Sequence, residues 1–321
     1  MADVSIDVAK ETADDAALGR VQPAGLAPGT SWGESAAGYL FLTPWLIGFF
    51  GLTLGPALAS LYLSFTDFDL LSSPHWTGAA NYVRIATNDA KFVAAMHVTF
   101  LYVALAVPLK LGFALMVAMI LNKGISGLPL YRAMFYLPSL LGASVAIAVL
   151  WRQLFAGDGL FNQALSLFGI HGPSWISNPD TSLYTLVALS VWQFGSPMII
   201  FLAGLRQIPR DVYEAAEIDG ASRRQQFLRI TLPLLTPVIF FNGVVQTIDA
   251  FKAFTPAFII SGGTGGPIDS TLFYTLYLYQ EAFAYFRMGY ASALAWILVV
   301  IIAAFTAFAF LSSRYWVHYN D

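Results

Sequence analysis

Six stretches of this chain, roughly residues 38–64, 94–121, 131–151, 183–205, 237–258 and 289–311, are each apolar over about 20 residues or more, the length needed to cross the hydrocarbon of a bilayer as a helix. In hydrocarbon every backbone N–H and C=O must find its partner inside the segment, which leaves helices as the structure for such spans. The composition agrees: 57% of the residues are hydrophobic and only 11% charged, with a mean hydropathy of +0.65. Soluble domains carry about 25% charged residues, so one aqueous core cannot absorb this apolar excess. The fold class expected is all-α integral membrane, with six transmembrane helices. Pro44, Pro56, Pro108, Pro138 and Pro197 fall inside the spans and predict kinked helices around a cavity.

The domain boundaries follow from the same pattern. Residues 1–37 read as a polar, disordered cytoplasmic tail, 38–311 as the six-helix domain, and 312–321 as a short C-terminal tail. The N-terminus lacks the basic and apolar regions of a secretory signal, so the first span is expected to be an uncleaved anchor. Basic residues in short loops mark the cytoplasmic side. With both termini inside, ten Lys and Arg lie on that side, among them Lys123, Arg132, Arg206, Arg210, Arg223, Arg224, Arg229 and Arg314. Four, namely Arg84, Lys91, Arg152 and Arg287, lie outside, and Lys110 and Lys252 lie within spans. The localisation expected is the bacterial inner membrane, multi-pass.

Several functions are excluded or weakened. A net charge of −3 offers no field for nucleic acid, and the absence of Cys removes disulfides, thiolate metal sites and a Cys nucleophile. His75, His97, His171 and His318 are scattered, without a metal-ligand or triad pattern, so neither a metal site nor catalytic residues are expected. None of the five lysines follows a Gly, so a phosphate-binding loop is absent.

The most specific segment is the polar loop 206–236 between the fourth and fifth spans. Glu214-Ala215-Ala216, three residues, Gly220, nine residues and Ile230-Thr231-Leu232-Pro233 follow one another there. Asp211, three residues before Glu214, predicts a loosely capped helix over 211–218. Gly220 suits a left-handed C-terminal turn. A second amphipathic helix is expected to follow, with Phe227 and Ile230 on one face and Arg223, Arg224 and Arg229 exposed. Pro233 is expected to open the next membrane helix.

This spacing resembles the coupling-loop signature of permease subunits of ABC importers, within the binding-protein-dependent transport family. Further stretches resemble the carbohydrate-importing members of the maltose and glycerol-3-phosphate kind: Leu63-Ser64-Phe65-Thr66-Asp67, Gly78-Ala79-Ala80-Asn81-Tyr82, Tyr131 to Pro138, Ser261 to Pro267, and Ala284 to Ala293. The likeness covers about residues 38–318. Ala79 stands where the family has Leu, and the glycine turn is lengthened to Ser261-Gly262-Gly263-Thr264-Gly265-Gly266-Pro267. The resemblance implies a type I ABC importer permease fold and a homologous second permease as partner. It also implies two ATP-binding subunits, which hold ATP and magnesium and leave this chain without a cofactor, and an external solute-binding protein. Glu214, Ala215, Ala216, Asp219, Gly220, Arg223 and Arg224 are the residues it assigns to ATPase coupling.

Polar groups within spans mark the candidate solute path, because they are costly in hydrocarbon. Asn242, Gln246 and Asp249 share a helical face, and Lys252 lies within reach of Asp249. Trp192, Gln193 and Ser196 offer an aromatic plate beside amide and hydroxyl groups, which suits a sugar. These groups serve either a solute or contacts between helices. Lys110 lies about 12 residues, or roughly 18 Å, from the nearer end of its span. It is expected to meet a buried acid, a carbonyl or an anionic solute. The function expected is import of a sugar, oligosaccharide or polyol, neutral or acidic. An ion-coupled carrier is the alternative, against which stands the lack of matching Gly-interrupted segments.

Overall fold

A computed structural model describes residues 32–318 other than Ile125 and Ala143. The described residues up to Ala59 form one compact unit and those from Ser60 another. Most of the expected N-terminal tail lies outside the described residues; those of it that are described, 32–37, already belong to a helix, α1, Trp32–Gly48. A π-helical turn, Phe49–Leu54, joins α1 to α2, Gly55–Leu63. The expected C-terminal tail is also partly helical, since the last helix runs to Trp316.

The second unit holds α3, Ala80–Asn88, and α7, Leu160–Ser166, and is organised around α4, Ala90–Asn122. At 1.5 Å per residue its 33 residues exceed the roughly 30 Å of hydrocarbon, and Pro108 leaves it unbroken. Around it pack α8, Pro179–Trp192, and α9, Gly195–Gln207, with α13, Thr236–Phe251, and α15, Tyr274–Tyr279. Ala95, Ala106, Ala114 and Ala118 are among its most deeply buried residues. Lipid is as apolar as Leu, so helices associate in it by close backbone approach, which small side chains allow.

Three helices suffice to cross a membrane alone, Tyr39–Leu63, α4 and α16, Met288–Trp316. Three further spans are bent pairs. The third runs as α5, Leu128–Leu141, and α6, Val145–Leu154. The fourth is α8 with α9, bent by 44°, and the fifth meets the preceding loop at 63° near Leu235. The kinks follow the prolines only in part: Pro108 sits mid-helix without a break, while the fourth span breaks at Gln193 and Phe194, where Pro197 leaves the Gln193 carbonyl without a helical partner. The fifth span is also interrupted after Phe251, before α14, Thr255–Ile260. No strand occurs among the described residues, only an isolated bridge between Thr66 and Trp76.

The loop motifs lock onto one another. Asn81 Nδ2 donates to the carbonyls of Ser64 and Thr66 at 2.9 and 2.8 Å, and the hydroxyls of Ser64 and Tyr82 lie 2.8 Å apart. Gly289 packs so tightly here that a Cβ would strike the carbonyl of Thr66. In the glycine turn Gly262, Gly263, Gly265 and Gly266 all take positive φ, the conformation only Gly adopts freely. Trp175 is fixed in its loop, since its indole N–H donates to Asn162 Oδ1 at 2.7 Å.

One polar staple joins elements far apart in sequence. Half-buried Asp89 caps α4 by accepting from Phe92 N, and its other oxygen accepts from the hydroxyls of Tyr277 (2.6 Å) and Tyr290. The Arg84 guanidinium lies 4.8 Å above the Tyr290 ring. Burial pushes the Asp89 carboxyl up, but the two tyrosine hydrogen bonds and those from the backbone outweigh it and hold the group below the usual range.

Candidate functional site

The first site is the polar loop. Its opening helix, α10, spans Arg210–Ile218, as expected. Its cap differs: the N-cap is Pro209 and makes no side-chain bond, while Asp211 lies in the first turn, where a negative charge still favours the helix dipole. At the other end Gly220, at φ +75°, closes a Schellman motif. Gly220 N–H donates to Glu217 O at 3.0 Å and Ala221 N–H to Ala216 O at 2.9 Å. A capping box follows, in which Ser222 and Gln225 bond each other's backbone N–H; its Ser-x-x-Gln pattern was present in the sequence. It starts α11, Arg223–Gln226, which continues through a π-helical turn, Phe227–Thr231, into α12, Leu232–Leu234.

Pro233 thus belongs to α12 rather than to the membrane helix, whose first turn carries Pro237 instead. The chain bends at Leu235 between them. The Tyr213 and Thr231 hydroxyls, 2.9 Å apart, tie α10 to the segment leading into that bend. Leu235 is buried. Beyond it α9 and α13 touch closely, for a Cβ on Gly204 would stand 2.8 Å from Val238 Cγ2. Glu214, Ala215, Asp219, Gly220, Arg223 and Arg224 are exposed and Ala216 is half-buried. Among the described residues none of the loop's charged groups forms an ion pair. Ile218, 87% exposed, stands among them. A capped, rigidly tethered helix presenting unpaired charges and an exposed Ile is a surface suited to a partner.

The second site is a cavity of about 570 Å³ inside the bundle, within the range of small-molecule sites. Lys110 from α4, Gln193 and Ser196 from the break between α8 and α9, and Gln246, Asp249 and Lys252 from α13 all line it. Six of the eight expected path residues therefore meet. Lys252 and Asp249 form an ion pair at 3.4 Å, both more than half exposed. Lys252 caps the end of α13, at the interruption within the fifth span.

Two expected residues fall elsewhere. Asn242 shares the helical face of Gln246, but the cavity borders only the C-terminal half of α13, so Asn242 is packed inside the bundle, wholly buried. Neither its Oδ1 nor its Nδ2 has a hydrogen-bond partner. Trp192 turns away from the cavity to pack against Trp151, with ring centroids 6.1 Å apart. Gln193 has a structural duty besides facing the cavity, since its Nε2 donates to Gly142 O at 3.2 Å.

Ser139 is one of the cavity residues that reading the sequence missed. Its hydroxyl donates to Gln193 O at 2.9 Å and accepts from Ser196 N–H at 3.0 Å, pinning the break in the fourth span to α5. Gly195 permits this approach, for a Cβ there would strike the Phe135 carbonyl and lie 2.7 Å from Tyr136 Cα. Tyr102 and Phe254 supply aromatic surface to the same cavity. A lone serine or phenylalanine in an apolar run carries no signal of such a role.

Residues 85–317 match the family described as the inner-membrane component of binding-protein-dependent transport systems. The chain is 54% identical over 289 residues to the probable ABC transporter permease protein YesP of Bacillus subtilis, covering 90% of this chain and 94% of that one. It is 33% identical to the lactose transport system permease protein LacF of Rhizobium radiobacter, over 86% of this chain and 94% of that one. It is 31% identical to the trehalose/maltose transport system permease protein MalF of Thermococcus litoralis, over 85% and 92%. The fold is that of a chain in the crystal structure of a bacterial alginate ABC transporter in complex with alginate pentasaccharide-bound periplasmic protein. That likeness has a TM-score of 0.73, 22% identity, and coverage of 86% of this chain and 93% of the other. An all-helical bundle of this topology, matched over most of its length, belongs to the family of inner-membrane permease components of binding-protein-dependent ABC transporters.

Proposed function

We propose that this chain is one of two permease subunits of an ATP-driven importer for a sugar or oligosaccharide. Both termini lie in the cytoplasm, and the 206–236 loop takes up the movement of separate ATP-hydrolysing subunits, which hold ATP and magnesium. A solute-binding protein delivers the sugar from outside. The observation that carries this reading is the connection between the two sites: α10 is tied through Tyr213 and Thr231 to the bend at Leu235, and that bend leads directly into α13, which lines the cavity. A push on the loop is thereby a push on the cavity wall. The names of the lactose and trehalose/maltose permeases support a saccharide, as do the cavity's amide, hydroxyl and aromatic groups.

The test is uptake of labelled oligosaccharides into proteoliposomes holding the whole importer. Uptake is expected to require ATP and to fail when Glu214→Lys reverses a charge on the exposed face of α10, while the variant still inserts into the membrane. Uptake driven by an ion gradient without ATP, or undiminished in the variant, overturns the reading in favour of a secondary carrier.

A further inference from the structure

We propose that the cavity recognises a saccharide bearing a carboxylate, a uronic acid unit, and that Lys110 is the group that binds it. The inference rests on the saccharide reading above and narrows it.

The argument begins with the charges facing the cavity. Three line it: Lys110, Asp249 and Lys252. Asp249 and Lys252 are three residues apart on α13 and pair with each other at 3.4 Å. Lys110 comes from a different helix and has no ion pair among the described residues. It stands well inside the continuous α4, about 12 residues from its end, so its stem cannot carry the ammonium to the membrane surface. A cation held in a desolvated place is costly unless an anion or hydrogen-bond acceptors meet it. Here the one carboxylate that lines the cavity, Asp249, is shared by two cations, since it pairs with Lys252 and its charge also acts on Lys110.

The balance of charge selects the anion. Two cations and one carboxylate leave the cavity with a single positive charge. One uronate carboxylate neutralises it, whereas a phosphate dianion leaves net negative charge in a confined space. The rest of the lining suits the remainder of such a sugar: Gln246 and Ser196 for hydroxyls, Tyr102 and Phe254 for the apolar faces of the rings.

The test compares two disaccharides that differ only in one carboxylate, galactosyl-galacturonate and neutral galactobiose. Their binding to the purified, fully assembled importer in detergent is measured by calorimetry, for the natural protein and for Lys110→Met and Lys110→Arg. A charge-assisted hydrogen bond in a partly buried site is expected to favour galactosyl-galacturonate by about tenfold or more. Lys110→Met should bring the ratio of the two affinities towards one, and Lys110→Arg should keep the acid preferred. Co-purification of the ATP-binding subunits with each variant separates this from a failure to fold. Tighter binding of galactobiose, or an acid preference that survives Lys110→Met, overturns the carboxylate assignment alone. Binding of neither sugar overturns this assignment and the saccharide reading together.

Discussion

Gly220 allows the loop's role to be tested through backbone conformation alone. It occupies the left-handed region, at φ +75°, and open space surrounds the point where a Cβ would stand. A substitution there meets no steric clash, so its whole effect is the cost of holding an L-residue left-handed, about 1–2 kcal/mol. Asn tolerates that conformation better than Ala, and a β-branched residue tolerates it worst. The helix it terminates has nine residues, fewer than the roughly 12–15 at which an isolated helix becomes even marginally stable. It therefore depends on its end bonds and on the Tyr213–Thr231 contact. A loss of 1–2 kcal/mol raises the frayed population about 5- to 30-fold. Hydrogen exchange at the amides of Gly220 and Ala221, which donate across this turn, should accelerate in the order Gly220→Asn, Gly220→Ala, Gly220→Val. Co-purification of the ATP-binding subunits should weaken in the same order. Equal effects of Asn and Val, or faster exchange with no change in co-purification, refute the reasoning.

The Asp89 staple should be visible in thermal unfolding. Asp89→Ala removes a helix cap and leaves two tyrosine hydroxyls unpaired, a loss of about 2–4 kcal/mol, and Asp89→Asn should cost less because it keeps an acceptor. The Asp89 carboxyl is held below its ordinary range. Its stabilisation is therefore present above that range and lost as pH falls through the folded value, so the gap between natural protein and Asp89→Ala should close on acidification. Gly195→Val should cost about 3 kcal/mol or more, because the atoms it strikes belong to the backbone of α5 and cannot yield; an unchanged melting temperature counts against that packing. In this Cys-free chain, single cysteines at Ser73 and Thr264 should react with an impermeant reagent applied outside, and one at Ser222 should not. Reversed labelling inverts the orientation and removes the loop from the ATPase side.

Much of the membrane architecture was legible in the residues themselves. Three unbroken helices and three bent pairs lie where the apolar runs place the six spans, because the length of an apolar helix is set by the bilayer and not by its neighbours. The loop helix ending at Gly220 was equally plain, since a left-handed turn and an amphipathic period are local properties. The tertiary structure alone decided what the polar groups inside the spans do. Asn242, Gln246 and Asp249 lie on one face by periodicity, yet only the last two reach the cavity, because its position along α13 is set by helices far away in sequence. Trp192 packs against Trp151 for the same reason. Ser139 is drawn to Gln193 and Ser196 across more than fifty residues by the bare backbone of Gly195. The breaks likewise depend on packing as well as on proline, since Pro108 is carried without a break, while the Gln193 carbonyl that Pro197 frees is met by Ser139 where the fourth span bends. Periodicity assigns a residue to a face. Which face meets a neighbour, lipid or a void is settled only when distant segments share the same space.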